Sequence, residues 1–328
     1  MATTLLATES FGSYGSASNF LSRLGPLFWT YENSTIESGV FPNTKGTFGN
    51  NGVIIGGTLA TPLSEVTVGC RINPYNLGTQ GTQIITYDVA AGAYQWAINF
   101  NTQNGSLMFY RVNSSTPLVI SATGLFNINE ILDFEADVVI SSTVGSIVAR
   151  INGVQVLNAT GLNTQSTANN TFGIINFGSA AYVYDVYLAT GGGMLGVPYS
   201  PYSPPIANAS VQFTPSTGTN YTCVDSTTFQ EVIYNLAASS GLTDLFTVNT
   251  ITGAAPLGVQ FKILAARDNT GAANVIPVYK LGSTVTSGPT FALSLTPMLY
   301  TWMALTDPNG NPWTTANYNA LEVGYMSG

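Results

Sequence analysis

Along residues 133–140, apolar side chains alternate with carboxylates. The apolar positions are Phe134, Ala136 and Val138, and the acidic positions are Asp133, Glu135 and Asp137. Because successive residues of a β-strand point to opposite faces, this order predicts a strand with one apolar face and one acidic face. Such a strand is typical of a half-buried sheet in a β-sandwich.

A tight hairpin is predicted next to this strand. Residues 146–151 and 155–158 form two more extended runs, and Asn152-Gly153 lies between them. A type I′ turn requires positive φ at both central residues, and Asn and Gly tolerate that conformation best. With the turn-forming residues 142–145 before it, the region predicts a three-stranded β-meander.

The rest of the first half repeats this strand rhythm. Short apolar or alternating runs recur at spacings of about 8–12 residues, separated by Gly and Asn. They are residues 27–31, 66–72, 83–88, 94–99, 106–112, 171–177 and 181–188. We expect a β-sandwich there and no helix of ordinary length.

A change of composition divides the chain. Residues 189–209 are rich in Gly, Pro, Ser and Tyr, and proline removes backbone donors and favours extended, semi-rigid backbone. A length of 328 residues suffices for two domains with their own cores. We therefore expect a first domain at 1–188 with an N-terminal arm, a linker at 189–209 and a second domain at 210–328.

The second domain also predicts a β-sandwich. Extended runs occupy residues 242–248, 258–268 and 275–282, and Pro308-Asn309-Gly310 is a type I turn signal. Residues 315–320 predict a single helical turn. The expected fold class is thus all-β, with two sandwich domains.

The composition is poor in charge. Charged residues make up 7% of the chain, against about 25% in ordinary soluble proteins. Little self-repulsion separates such a chain from its neighbours, which favours a place inside a large assembly. A net charge of −8 with eight Lys and Arg residues argues against nucleic-acid binding, because phosphate neutralisation requires basic clusters.

The sequence carries no targeting or membrane signal that we recognise. Its first residues lack the basic and apolar regions of a signal peptide, and no run of about 18 apolar residues occurs. We expect neither secretion by that route nor a membrane span.

The chain contains no histidine, which removes Ser-His-Asp and Cys-His activation of a nucleophile. A glycosidase needs two carboxylates, and Asp133, Glu135 and Asp137 offer a pair. The alternative, which we favour, is that these are solvent-facing positions of an outer sheet, because no aromatic subsite motif surrounds them. We expect no catalytic residue and no enzymatic activity. Gly191-Gly192-Gly193 is interpreted as linker, since a phosphate loop would continue into Lys-Ser/Thr and a helix.

Metal binding and disulfide formation are not expected. Asp88 and Glu130 lie at loop edges, where carboxylates can bind calcium, but no dense run of Asp and Asn accompanies them. We expect no metal site and no cofactor. Cys70 and Cys223 are expected to be buried free thiols, and a bridge between the domains is the alternative.

Several motifs, taken in order, resemble structural proteins of tailed bacteriophages. They are the acidic strand with its Asn152-Gly153 hairpin, G-x-F-G-N-N-G-V-I-I at 46–55, and the strings at 213–221, 242–248, 258–268, 275–282 and 307–314. These phage proteins combine an N-terminal laminin-G-like, or concanavalin-like, jelly roll with a C-terminal β-sandwich. Residues 181–188 resemble the closing strand of that jelly roll, but Tyr184 replaces the first of its two acids and only Asp185 remains.

The resemblance, which covers nearly the whole chain, implies a non-enzymatic structural component of the virion. It is expected to be associated with the tail or baseplate or to decorate the capsid. Its partners would be other virion proteins and further copies of itself, without nucleic acid or membrane. Because carbohydrate binders share this fold, a lectin-like receptor-recognition module that binds a host-surface glycan is the alternative.

Two apolar segments are candidates for assembly contacts. The N-terminal arm offers Leu5, Leu6 and Phe11, and the linker offers Tyr199 and Tyr202 on extended backbone that costs little entropy to order. The alternative is that both segments fold back on their own domains.

Overall fold

A computed structural model describes most of the chain. The described residues are 4–9, 29–32, 35–37, 47–49, 54–74, 83–112, 114–178, 181–196, 203–225, 232–268 and 271–328. They divide into two compact units, one formed by the described residues up to 196 and the other by those from 203 onward.

The described part of the first unit consists of β-strands and their connections. The strands are β1 (Thr4–Glu9), β2 (Trp29–Glu32), β3 (Thr35–Glu37), β4 (Thr47–Gly49), β5 (Ile54–Leu63), β6 (Glu65–Pro74), β7 (Gln83–Asp88), β8 (Ala93–Asn101), β9 (Ser106–Arg111), β10 (Val119–Ile120), β11 (Leu132–Val139), β12 (Gly145–Ile151), β13 (Val154–Leu162), β14 (Phe172–Gly178) and β15 (Ala181–Thr190).

These strands form two sheets that pack face to face. The eight-stranded sheet has the order β13-β12-β11-β6-β15-β4-β3, with β1 also paired to β15, and the seven-stranded sheet has the order β10-β9-β8-β7-β14-β5-β2. The ring centroids of Phe100 in β8 and Phe134 in β11 are 4.9 Å apart, so both sheets contribute to one core. Because the chain repeatedly crosses between antiparallel sheets, the first unit is a β-sandwich of the jelly-roll type, as predicted.

The predicted meander is confirmed. β11, β12 and β13 pair in sequence order, and Ile151 lies opposite Val154 across the turn. Asn152 and Gly153 have φ values of 52° and 78°, as a type I′ turn requires. The Oδ1 of Asn152 also accepts the backbone N–H of Asp133 at 2.9 Å, which ties the turn to β11.

Alternation along the strands decides what enters the core. Phe134 and Ala136 of β11 are fully buried, and they lie opposite Cys70 and Val68 of β6, which are also fully buried. These side chains share the face that packs on the seven-stranded sheet. The opposite face of the eight-stranded sheet is called the outer face below, and it carries the acidic positions of β11.

The N-terminal arm pairs with its own domain. β1 runs antiparallel to β15, with Leu5 opposite Ala189. This is the alternative in which the arm folds back, so Leu5 and Leu6 have a partner strand within the chain. Their role in assembly stays a prediction, and Phe11, Tyr199 and Tyr202 lie outside the described residues.

The second unit is also built from strands. Its described strands are β16 (Pro205–Ser210), β17 (Thr214–Pro215), β18 (Asn235–Leu236), β19 (Thr243–Val248), β20 (Val259–Ala265), β21 (Asn274–Leu281), β22 (Thr284–Ser287), β23 (Phe291–Ala292), β24 (Met298–Ala304) and β25 (Leu321–Ser327), and its described helices are a 3₁₀ turn at Tyr221–Cys223 and the short helix α1 (Thr315–Asn319).

A six-stranded sheet and a two-stranded ribbon enclose the core of this unit. The sheet has the order β16-β19-β25-β21-β22 with β23 paired to β21, and β20-β24 forms the ribbon. Phe261 of the ribbon contacts Tyr279 of the sheet with ring centroids 5.7 Å apart, and Trp302 and Trp313 complete an aromatic cluster. The second unit is thus a β-sandwich with a small second layer, and the predicted all-β fold class is confirmed.

Two local predictions in this unit are also confirmed. The N–H of Gly310 donates to the carbonyl of Asp307 at 2.9 Å, which closes the turn around Pro308-Asn309. Helix α1 begins after Thr314, whose side-chain oxygen accepts the N–H of Asn317 at 3.0 Å and caps the helix.

Strands reach into both ends of the range predicted as linker. β15 continues to Thr190 and β16 begins at Pro205, so strands occupy part of the range 189–209. Ala189 is fully buried, because its small apolar side chain fits the sheet. Pro205 is tolerated because it is the first residue of an edge strand, where its missing N–H breaks no ladder.

The two cysteines are buried free thiols, as predicted, and they belong to different units. Burial, with a smaller effect of Asp133, raises the pKa of the Cys70 thiol well above its ordinary value. Within the described residues, no helix combines the length and hydrophobicity needed to cross a membrane.

Candidate functional site

The outer face of the eight-stranded sheet carries the three carboxylates of β11 together with their hydrogen-bond partners from β6 and β15. β6 lies between β11 and β15, so Glu135 pairs with Gly69, and Gly69 pairs in turn with Tyr187. Rows of this kind bring residues far apart in sequence to neighbouring positions. The partners of the three β11 carboxylates determine how exposed these groups are and whether their pKa values are shifted.

Asp133 is held in an ion pair. The Nε of Arg71 donates to its carboxylate at 3.0 Å, and the Nη1 of Arg71 reaches Asp185 at 3.4 Å. The side chain of Asp185 is fully buried, whereas that of Asp133 is 45% exposed. Because solvent screens the exposed pair, the main effect of Arg71 is to balance the buried charge of Asp185.

Asp137 has a hydroxyl partner. The Oγ1 of Thr67, itself fully buried, donates to its carboxylate at 3.0 Å. Desolvation raises the pKa of Asp137, and the hydrogen bond from Thr67 opposes that rise only in part.

Glu135 is buried, which corrects the prediction that it faces solvent. Its carboxylate accepts the hydroxyl of Tyr187 in a short hydrogen bond and the backbone N–H of Gly196 at 2.8 Å. The hydroxyl of Tyr187 also accepts the N–H of Leu195 at 3.2 Å. Glu135 is only 3% exposed because Tyr187 and residues 195–196 cover the place where the strand pattern predicts water.

Gly69 makes this arrangement sterically feasible. A Cβ at this position would lie 1.9 Å from a ring carbon of Tyr187. The tyrosine ring therefore crosses β6 directly over the glycine backbone, and its hydroxyl reaches β11. Burial, and then the hydrogen bond to Glu135, raise the pKa of Tyr187 far above its ordinary value, so the phenol stays a neutral donor to the carboxylate.

The three carboxylates of β11 are the groups that a glycosidase could use, and their partners bear on that possibility. A glycosidase requires one carboxyl group to protonate the leaving oxygen and a second to attack or to activate water. Asp133, Glu135 and Asp137 each have a partner from the chain itself, and Glu135 is closed to solvent. Each of the three carboxylates therefore takes part in a contact that orders the outer face.

The loop carboxylates considered for calcium also have internal partners. Asp88 accepts hydrogen bonds from Thr167, Asn169 and the N–H groups of Ala90 and Ala91. Burial tends to raise its pKa, but these hydrogen bonds outweigh that effect and lower it. Glu130 accepts from Asn127, and the described residues contain no group of three or more potential metal ligands.

Gln95 is a structural residue that the sequence did not reveal. Its side-chain nitrogen lies 2.8 Å from the hydroxyl of Thr167 and 2.7 Å from the carbonyl of Asn169, and its oxygen accepts the N–H of Ser166 at 2.8 Å. It fixes the loop before β14 against β8. A lone Gln in a strand carries no sequence signal for this role.

An aromatic pair lies at the surface of the same sandwich. Tyr94 is 40% exposed, and its ring meets that of Tyr87 edge-on at a centroid distance of 5.2 Å. The two residues face each other across the β7–β8 hairpin. A tyrosine that is partly exposed and held in place by a second ring offers both an apolar surface and a hydroxyl.

No protein-family model matches the chain, and comparison with curated proteins gives no match either. Among solved structures, it is similar to the lectin UEA-II complexed with galactose, with a TM-score of 0.37 and 8% identity over 56% of this chain and 98% of that chain. It is also similar to the carbohydrate-binding module CBM66 from Bacillus subtilis, with a TM-score of 0.28 and 14% identity over 49% of this chain and 90% of that chain.

A third similar structure is an enzyme domain. The GH131 beta-glucanase catalytic domain from Podospora anserina matches with a TM-score of 0.35 and 10% identity, over 55% of this chain and 93% of that chain. Most of the similar structures are lectins or carbohydrate-binding modules rather than enzymes. At this level of similarity they assign no activity to the chain.

Proposed function

We propose that the protein is a non-enzymatic structural component of a tailed-phage virion, associated with the tail or baseplate or decorating the capsid. The observation that carries the non-enzymatic part is the outer face, where each acidic residue of β11 has a partner from the chain itself. The virion part rests on the motifs that run through both halves of the sequence. The low content of charge, 7%, supports assembly by protein–protein contacts.

Absence of hydrolysis is tested on polysaccharides of the host-surface type. Purified protein is incubated with them and new reducing ends are measured over time. We expect no signal above that of heat-treated protein. Turnover that the variant Glu135→Gln abolishes would contradict the proposal, because it would make Glu135 a reacting group.

Membership of the virion is tested on purified particles. Quantitative mass spectrometry of particles that have passed two density gradients is expected to find the chain at a constant ratio to the other particle proteins. A ratio that falls with each purification step would contradict the proposal, because a contaminant is diluted in that way.

A lectin-like module that binds a host-surface glycan is the second candidate. The observation that favours it is the exposed Tyr94 supported by Tyr87, since sugar rings pack on such aromatic surfaces. A glycan array tests it with the wild type, with Tyr94→Ala and with Tyr234→Ala as control, because Tyr234 is 52% exposed in the other unit. Binding that only Tyr94→Ala removes would support the lectin function, and no binding by the wild type would exclude the glycans tested.

A further inference from the structure

The residues that follow β15 turn back onto the outer face. Gly191, Gly192 and Gly196 have φ values of 98°, 73° and 77°, conformations that glycine adopts far more readily than other residues. The glycines therefore allow the chain to reverse its direction after β15 instead of continuing along the strand. Residues 191–196 are called the strap below.

Two buried side chains accept hydrogen bonds from the backbone of the strap. The N–H of Gly196 donates to Glu135 at 2.8 Å, and the N–H of Leu195 donates to the hydroxyl of Tyr187 at 3.2 Å. The same hydroxyl donates to Glu135, so the three groups form one connected network. Both side chains are almost fully buried, and in such surroundings hydrogen bonds are strong and an unmade one is costly.

We propose that Glu135 and Tyr187 form a latch that anchors the strap to the outer face, so that residues 191–196 belong to the first unit rather than to a free linker. The proposal does not depend on a role in the virion.

Amide hydrogen exchange on the full-length protein tests the latch. The variant Tyr187→Phe removes the hydroxyl but keeps the ring that lies over Gly69. Thr67→Val is the matched control, because it removes a hydroxyl bonded to Asp137 on the same face and leaves the strap untouched. We expect exchange at Leu195 and Gly196 to become at least tenfold faster in Tyr187→Phe and to stay at the wild-type rate in Thr67→Val.

The amides of β11 serve as the internal reference in each variant, so general destabilisation is separated from release of the strap. Glu135→Gln keeps an acceptor oxygen but loses the charge, and we expect a smaller increase at the same two amides. Wild-type amides at 195 and 196 that exchange as fast as an unfolded peptide would overturn the proposal, as would an equal increase in both hydroxyl-deletion variants.

Discussion

At the residue scale, the environment of each carboxylate decides its role more than its place in the strand pattern. The alternation along β11 correctly predicts that Phe134 and Glu135 point to opposite faces. It could not predict that Glu135 is buried, because the covering residue, Tyr187, is 52 positions away and requires a glycine between them. Contacts of this range depend on strand order, which no local pattern encodes.

Asp88 and Asp137 are expected to respond to pH in opposite directions. The pKa of Asp88 is lowered, so its stabilising effect is present above the unfolded-state pKa of about 3.9 and is lost as the pH falls through the folded-state value. The pKa of Asp137 is raised, so the folded state binds its proton more tightly and stability rises as the pH falls from neutral towards about 4.

Replacing each of these two aspartates by asparagine tests the opposite effects of Asp88 and Asp137 on stability. At pH 7, Asp88→Asn is expected to lower the free energy of unfolding by about 1–3 kcal/mol, because its amide N–H groups would face donors. Asp137→Asn is expected to leave stability unchanged or to increase it, since the amide oxygen can still accept from Thr67. Urea unfolding of both variants at pH 7 and pH 4 checks this, and equal losses at pH 7 would contradict the assigned pKa shifts.

A side chain at Gly69 is expected to destabilise the first unit. In Gly69→Ala the new Cβ would meet the ring of the buried Tyr187, and overpacking of this kind typically costs about 1–3 kcal/mol. Gly173→Ala is the control, because its Cβ would meet only the end of the exposed Val89, which can move. Denaturant unfolding measures both variants, and a Gly69→Ala protein as stable as the control would show that the ring does not lie over the glycine.

At the element scale, the sequence predicts an element correctly when neighbouring residues determine its backbone conformation. Asn152-Gly153 specifies its hairpin through backbone conformation, and the β11 to β13 meander follows from it. The arm, β1, pairs with β15 at the other end of the domain sequence, and its predicted role in assembly contacts stays a prediction. The pairing joins residues about 180 positions apart, and no local pattern in the sequence specifies a partner at that distance.

Replacement of the first turn residue tests the hairpin. Asn152→Ala loses the side-chain acceptor for the N–H of Asp133 and places alanine at positive φ, so we expect a loss of about 1–2 kcal/mol. Thr143→Ala, in the exposed turn before β12, should change stability by less than about 0.5 kcal/mol. The midpoints of thermal unfolding provide the comparison, and equal midpoints would contradict the structural role of the turn.

At the scale of the whole molecule, the range whose composition predicts a linker lies between two compact units. The Gly-, Pro- and Tyr-rich range begins and ends inside strands β15 and β16, because Ala189 and Pro205 are compatible with the positions that they occupy. Contacts between residues, which are a separate observation from composition, also divide the chain into two compact units on either side of this range.

The two units are expected to fold independently. Each has its own buried core, around Phe100 and Phe134 in the first and Phe261 and Tyr279 in the second. Separately expressed segments 1–202 and 203–328 should each unfold cooperatively in calorimetry. Loss of cooperative unfolding in both segments would contradict the two-domain organisation.

The most direct test of the proposed function is electron cryomicroscopy of the intact phage particle. If the protein is a structural component, the maps should contain density at symmetry-related positions on the tail, baseplate or capsid into which the two β-sandwich units fit. Density for the chain should also vanish from particles produced without its gene. Particles that assemble with identical density and identical protein composition in the absence of the gene would contradict the proposal.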